Sequence, residues 1–164
     1  MTADYFRTLY AYNGWANRLV LDAAEALTDV QLRAPHTGLA QSSLFGALVH
    51  TLATEIHWLR RWHGESPTTL LGEADFPAFA VLRARWSEHD AALTAFVAAL
   101  ADADLTRMVE YRTTQGAPHA DPLFELLAHV VNHGTQFRGE SAVALTALGH
   151  SPGNLDLLGY LRSR

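Results

Sequence analysis

The sequence predicts an all-α protein: a four-helix bundle with crossover connections and a small extended hairpin between the third and fourth helices. Apolar residues recur at intervals of three and four over four long segments, which is the periodicity of amphipathic helices. The chain has 164 residues, 49% of them hydrophobic, and no cysteine. This length and composition predict a single domain, residues 1–164, whose core contains no disulfide.

The first helix is predicted at residues 5–27. Thr28 and Asp29 then cap a short turn that ends at Pro35, and residues 36–41 form a loop. One face of the first helix carries a stripe that is apolar apart from one amide: Phe6, Leu9, Tyr10, Asn13, Ala16, Leu19, Val20 and Ala23.

Ser42 or Ser43 caps the second helix, which runs to about residue 62. A segment rich in Gly, Ser, Pro and Thr follows at residues 63–75 and predicts a long loop. The third helix begins near Pro77 and runs to about residue 100.

Residues 105–121 contain β-branched and aromatic residues followed by a Gln-Gly-Ala-Pro turn, which predicts a small hairpin or an extended crossover. Asp121 and Pro122 predict the start of the fourth helix, with a cap followed by proline in the first turn. That helix runs to residue 148 and stops at Gly149. A short final helix is predicted at residues 155–161, and the two long connections, after the second and third helices, allow crossovers.

Charge and hydropathy exclude several classes of function. The formal net charge is −5, and all twelve basic residues are scattered arginines, so phosphate-driven binding of nucleic acid is not expected. No apolar run approaches the roughly 20 residues of a membrane span, and the N-terminal segment lacks the pattern of a signal peptide. We therefore expect a soluble cytoplasmic protein that does not bind membranes.

The chain has nine histidines, and His129 and His133 lie one helical turn apart. Residues at this spacing share a helix face, about 6 Å apart at Cβ, so two imidazoles could hold one divalent metal. His50, on the second helix, could supply a third ligand. The alternative is that these histidines are core residues with interhelix hydrogen bonds, since HxxxH alone is a weak signal. Gly134 follows His133, so the HExxH arrangement of metalloproteases is absent.

Neighbouring polar residues extend this pattern. Asn132 and Gln136 flank the stripe and could orient the imidazoles. If Arg138 is buried it needs a carboxylate partner, for which Glu55 and Glu140 are the candidates. No glycine-rich phosphate loop or nucleophile elbow is present, and the missing Glu-x-x-His pairs disfavour a di-iron bundle. No role is expected for the histidines that are predicted in loops or on polar faces: His36, His63, His89, His119 and His150.

Four segments together resemble the DinB family, which is related to YfiT-like proteins and to bacillithiol- or mycothiol-dependent S-transferases. They are YNGWAN at residues 12–17, LVHTLATEIHWL at residues 48–59, LAHVVNHGTQFRGE at residues 127–140 and LGHSPGNLDL at residues 148–157. The resemblance covers nearly the whole chain. It implies a four-helix bundle with crossover connectivity that is commonly a homodimer.

The resemblance also implies a divalent metal, nickel or zinc, held by three histidines. The ligand from the second helix matches His50, and the first ligand of the fourth-helix HxxxH motif matches His133. The second ligand of that motif falls on position 137, where this chain has Phe137. His129 could compensate for the missing ligand, whereas Gln136 and His57 are weaker substitutes.

Two functions are compatible with this departure from the family pattern. One is a divalent-metal-dependent hydrolase or thiol S-transferase that acts on an unknown small molecule, with a degenerate metal site at His50, His133 and His129. The other is a metal-free binding or scaffold protein of the same fold. The resemblance also implies a role in the stress response, and self-association could be the protein's only biochemical property.

Overall fold

The structure is a computed structural model that describes residues 1–164, and it confirms the predicted all-α class with a small hairpin. The four long helices of the structure are the predicted first to fourth helices. No helix is long and apolar enough to cross a membrane. The elements are α1 (Ala3–Ala24), α2 (Asp29–Arg33), α3 (Leu44–Trp62), α4 (Phe79–Ala99), β1 (Met108–Arg112), β2 (Pro118–Pro122), α5 (Leu123–Ala147) and α6 (Leu157–Ser163), with 3₁₀ turns at Glu73–Asp75 and Asp102–Thr106.

Two core clusters fill the bundle, one near each end. The first core cluster joins the N-terminal halves of α1 and α5 to the C-terminal halves of α3 and α4; it includes Phe6, Leu9, Trp58, Trp62, Leu93, Val97, Leu127 and Val130. The second core cluster joins the opposite halves of the same helices; it includes Val20, Leu21, Leu48, Leu52, Leu82, Trp86, Ala144 and Leu145.

The membership of these clusters fixes the direction of each helix. α1 and α5 run one way, and α3 and α4 run the other way. The connection between α3 and α4 at residues 63–78 must therefore travel the length of the bundle, since these helices are parallel. The hairpin between α4 and α5 stays at one end, so only the first of the two candidate connections is a lengthwise crossover.

Side-chain caps explain where the first helices begin. Ser43 is the N-cap of α3, and its hydroxyl accepts a hydrogen bond from the Gly46 amide at 2.8 Å. Thr28 and Gln31 form a reciprocal capping box at α2. At the same end of the bundle, α5 stops before Gly149, which has a positive φ of 85°.

The predicted start of α5 is wrong in its details. Asp121 and Pro122 belong to β2, which pairs antiparallel with β1 and places Asp121 opposite Val109. The Asp121 carboxylate accepts a hydrogen bond from the Tyr111 hydroxyl at 2.8 Å, so it does not cap the helix. Pro122 occupies the N-cap position without a side-chain bond, and the helix begins at Leu123. Pairing between the strands outweighs the local capping preference.

Between the two core clusters lies a buried polar layer formed by Asn13, Asn17, Glu55, His89 and Arg138. Each of the four long helices contributes at least one of these side chains, and all five are at least 95% buried. Arg138 Nη1 donates to Asn13 Oδ1 at 2.6 Å and to Asn17 Oδ1 at 2.9 Å. The two amide groups donate in turn to Glu55 Oε1, at 2.8 Å and 3.2 Å. The asparagines therefore link the two buried charges.

His89 completes the layer on the other side of Glu55. Its Nε2 lies 3.5 Å from Glu55 Oε2. Burial alone raises the pKa of Glu55, but His89, Asn13 and Arg138 together bring that pKa below its ordinary value. Glu55 is thus held as a carboxylate in a site with almost no solvent. Arg138 does have a carboxylate partner in Glu55, although the contact passes through the two amides.

Two glycines of α5 provide a matched test of this layer. A Cβ added at Gly134 would lie 2.7 Å from Arg138 Nη1, whereas a Cβ at Gly139 would meet nothing within 4 Å. Gly139→Ala should raise the unfolding free energy by about 0.5–1 kcal/mol, the usual gain in a helix. Gly134→Ala should lower it by about 1–3 kcal/mol, because the guanidinium must leave its buried acceptors. Urea unfolding measures both changes, and equal gains at the two positions would contradict the assigned layer.

Candidate functional site

The central feature of the site is a pair of histidines on facing helices. His50 on α3 and His133 on α5 are both half-buried, and their Nε2 atoms are 3.3 Å apart. At this distance two neutral imidazoles share one hydrogen bond, with one ring donating and the other accepting. Two of the residues singled out from the sequence therefore do meet.

Both imidazoles are held in the neutral form. Burial lowers the pKa of His50, and the nearby Glu140 carboxylate opposes this shift. Burial, followed by the charges of His50 and His129, lowers the pKa of His133 to about 4, although Glu55 acts in the opposite direction. Near neutral pH the pair therefore carries lone pairs rather than positive charge, which is the state that binds a proton or a metal ion.

Phe137 packs directly against this pair. It lies one turn after His133 on α5 and is 6% exposed. Its ring centroid is 4.5 Å from that of His50 and 4.6 Å from that of His133. An apolar ring thus occupies the position where the resemblance places the third histidine.

His129 stands apart from the pair. It is exposed, and its ring centroid is 6.0 Å from that of His133. Its ring packs edge-on against Trp58, with 5.3 Å between centroids. No group of three His, Cys, Asp or Glu side chains in the chain is arranged to hold a metal ion.

These distances test whether the residues fit the implied metal. Zn–N bonds of about 2.0–2.1 Å at the tetrahedral angle place two ligand nitrogens about 3.3–3.4 Å apart. The separation of 3.3 Å between His50 and His133 matches two corners of such an ion. The third corner has no donor, since Phe137 cannot ligate and His129 is turned toward Trp58. A three-histidine centre therefore does not fit this chain as the side chains are placed.

The polar residues that flank the stripe do not orient the imidazoles. Gln136 donates to Glu140 Oε1 at 3.5 Å, and Glu140 Oε2 accepts from the Ala40 amide at 3.1 Å. Glu140 thus connects α5 to the loop before α3, while Arg138 goes to the polar layer. Asn132 lies on an apolar groove beside Tyr5 and Val131 instead.

Two other histidines differ from their expected positions. His89 is predicted on a polar face, yet it is 5% exposed and lies against Glu55. Its position in the sequence carried the signal: it falls three residues after Trp86 and four before Leu93, both of which are buried. His57, a weaker candidate ligand, is also buried but lines a separate cavity of about 480 Å³ with Arg60 and Arg85.

Comparisons with known proteins agree with this architecture. The sequence model described as the DinB family matches residues 1–164. A crystal structure of a DinB-like protein from Bacillus cereus ATCC 10987 superposes with a TM-score of 0.67 at 21% sequence identity, covering 93% of this chain and 97% of that one. At this identity the likeness supports the fold alone. No curated protein matches the chain significantly.

His57 gives the stability of the fold a defined pH dependence. Burial first, and then the charges of Arg61 and Arg60, lower the pKa of His57 to about 4. The unfolded chain binds this proton near the ordinary pKa of about 6.5, so stability is complete above that pH and falls as the pH drops toward 4. We expect His57→Gln to reduce the loss of unfolding free energy between pH 6.5 and 4.

Urea unfolding at a series of pH values measures this effect, and NMR titration of the His57 ring checks its cause. An identical pH dependence in the two proteins, or a ring that protonates near pH 6.5 in the native state, would contradict the assignment.

Proposed function

Since the chain belongs to the DinB family, we propose that it is a metal-free member that acts as a binding or scaffold protein. The observation that supports this proposal best is the packing of Phe137 against both imidazoles. A catalytic zinc site uses three protein ligands and keeps the fourth position open. Here the bundle supplies two nitrogens, and a phenyl ring fills the neighbouring space.

The neutral state of the pair supports the same proposal. The two Nε2 atoms share a hydrogen bond and so satisfy each other without an ion, and the lowered pKa values of both rings keep them neutral near pH 7. Phe137 excludes water from one side of the pair. The His50–His133 contact then joins α3 to α5, and its removal should alter stability without altering bound metal.

Restoring the missing ligand tests this proposal. The chain is purified without a histidine tag, loaded with Ni²⁺, Zn²⁺ or Mn²⁺, and desalted before metal analysis. The wild type should retain almost no metal. Phe137→His should retain close to one equivalent, with an affinity gain larger than the roughly 10–100-fold typical of residues that only orient a ligand. Adding His133→Ala to that variant should abolish the gain.

Phe124→His is the matched control, because Phe124 is a half-buried phenylalanine on the same helix that packs on the first core cluster. It should bring no metal. A wild-type protein that retains one equivalent, and loses it in His50→Ala, would overturn the metal-free assignment.

A second candidate function is a divalent-metal-dependent hydrolase or thiol S-transferase acting on a small electrophilic molecule. It is favoured by the Nε2 separation of 3.3 Å, which is the spacing of two ligands on one zinc ion. His50 and His133 would hold nickel or zinc, and His129 would have to turn away from Trp58 to complete the set. Such an ion would lower the pKa of a bound water or thiol.

For this second function we expect wild-type protein loaded with Ni²⁺ or Zn²⁺ to accelerate the reaction of a small thiol with 1-chloro-2,4-dinitrobenzene. His129→Gln should weaken metal affinity at least tenfold, while His63→Gln, an exposed histidine beyond the end of α3, should leave it unchanged. Metal binding that is insensitive to His50 and His133 would eliminate this candidate.

A further inference from the structure

A cavity of about 280 Å³ lies between α1, α4 and α6, and none of its lining residues belongs to the His50–His133 pair. Its volume is close to the lower end of about 300 Å³ for ligand pockets, which suits a molecule the size of a single amino acid. Asn13 lines it and is 1% exposed, so the cavity reaches the polar layer.

Two opposite charges line this cavity without pairing. Arg18 projects from α1 and is exposed, whereas Asp90 projects from α4 and is half-buried. Neither side chain forms an ion pair with any residue. The two charged groups are therefore more than 4.0 Å apart, and a ligand between them could contact both.

Asp90 lies in an environment that favours a cation beside it. Burial, and then the Glu55 carboxylate, raise the pKa of Asp90 to about 7, while His89 and Arg18 act in the opposite direction. Glu55 Oε1 already accepts hydrogen bonds from the two amides of the polar layer. A ligand ammonium group next to Asp90 would offset both the loss of solvent and the repulsion from Glu55.

The remaining walls of the cavity are largely apolar. Trp15 of α1 and Tyr160 of α6 lie with ring centroids 5.4 Å apart and interplanar angle 43°. Leu93 and Tyr10 line the same cavity. These side chains can bury an aliphatic or aromatic group of the ligand, and the aromatic faces also favour a nearby cation.

We propose that this cavity binds a small zwitterion of the α-amino acid class. The ligand's ammonium group contacts Asp90, its carboxylate contacts Arg18, and its apolar side chain packs on Trp15 and Tyr160. The arginine can hold a carboxylate through two parallel hydrogen bonds. This site is separate from the His50–His133 pair and does not depend on whether that pair holds a metal.

Isothermal titration calorimetry at pH 8 tests the proposal with three ligands of matched shape. L-Leucine carries both charges, 3-methylbutylamine carries only the amine and 4-methylpentanoate carries only the acid. The wild type should bind L-leucine, and each single-charge analogue should bind at least tenfold more weakly. Absence of L-leucine binding, or equal binding of L-leucine and either analogue, would overturn the proposal.

Two variants assign the contacts. Arg18→Gln should weaken the affinity for L-leucine at least tenfold and leave the affinity for 3-methylbutylamine unchanged. Asp90→Asn should also weaken the affinity for L-leucine at least tenfold, and it should leave the affinity for 4-methylpentanoate unchanged. Arg85→Gln is the matched control, an exposed arginine of α4 that does not line this cavity, and it should bind L-leucine as the wild type does. Circular dichroism melting confirms folding, and L-leucine affinity that survives both changes would refute the assigned contacts.

Discussion

The structure depends on holding one carboxylate, Glu55, in the middle of a bundle that is apolar at both ends. An isolated charge at this depth would be expensive, of the order of several kcal/mol even after relaxation. The cost is offset only if Arg138, Asn13 and Asn17 all keep the positions in which they bond. Because Glu55 and these three side chains come from three different helices, sliding any one of those helices along its neighbours would break the set. The polar layer therefore fixes the register of the helices, which the two apolar core clusters alone would leave loosely defined.

This register brings His50 and His133 into contact. Arg138 folds back along α5 until its guanidinium lies beside Gly134, which has no Cβ to obstruct it. The polar layer thus sits at the level of His133, and Glu55 contributes to the pKa of that histidine. The His50–His133 pair therefore lies next to a fixed hydrogen-bond network, the polar layer, and a precisely held site usually needs such a supporting network. The polar layer fixes the helix register, and the register in turn brings the two imidazoles into contact.

The elements governed by local periodicity could be predicted from the sequence, and those governed by long-range pairing could not. The four long helices follow from apolar spacing, and the convergence of positions 50 and 133 follows from the family resemblance. The polar layer was harder to predict, since Asn13 was the one amide on an apolar stripe and His89 was expected on a polar face. A polar side chain on an otherwise buried stripe must find a partner, so both residues carried a usable signal. The predicted start of α5 was wrong for a different reason. Asp121 pairs with Val109 in the hairpin, and the local capping preference does not take such long-range pairing into account.

Phe137 connects the chemistry of the pair to the stability of the bundle. An imidazole at this buried position would bring ring nitrogens into contact with two imidazoles that already satisfy each other. Without an ion those nitrogens would lose their hydrogen bonds to water, a penalty of about 1–3 kcal/mol for each unpaired group. Phenylalanine has no ring nitrogen and so avoids this desolvation penalty, and its ring packs against His50 and His133 at centroid distances of 4.5 Å and 4.6 Å. The residue that disfavours a three-histidine centre is therefore the one that stabilises the ion-free helix interface. The cavity beside Arg18 and Asp90 shares no residue with that interface, so phenylalanine at position 137 does not form part of its lining.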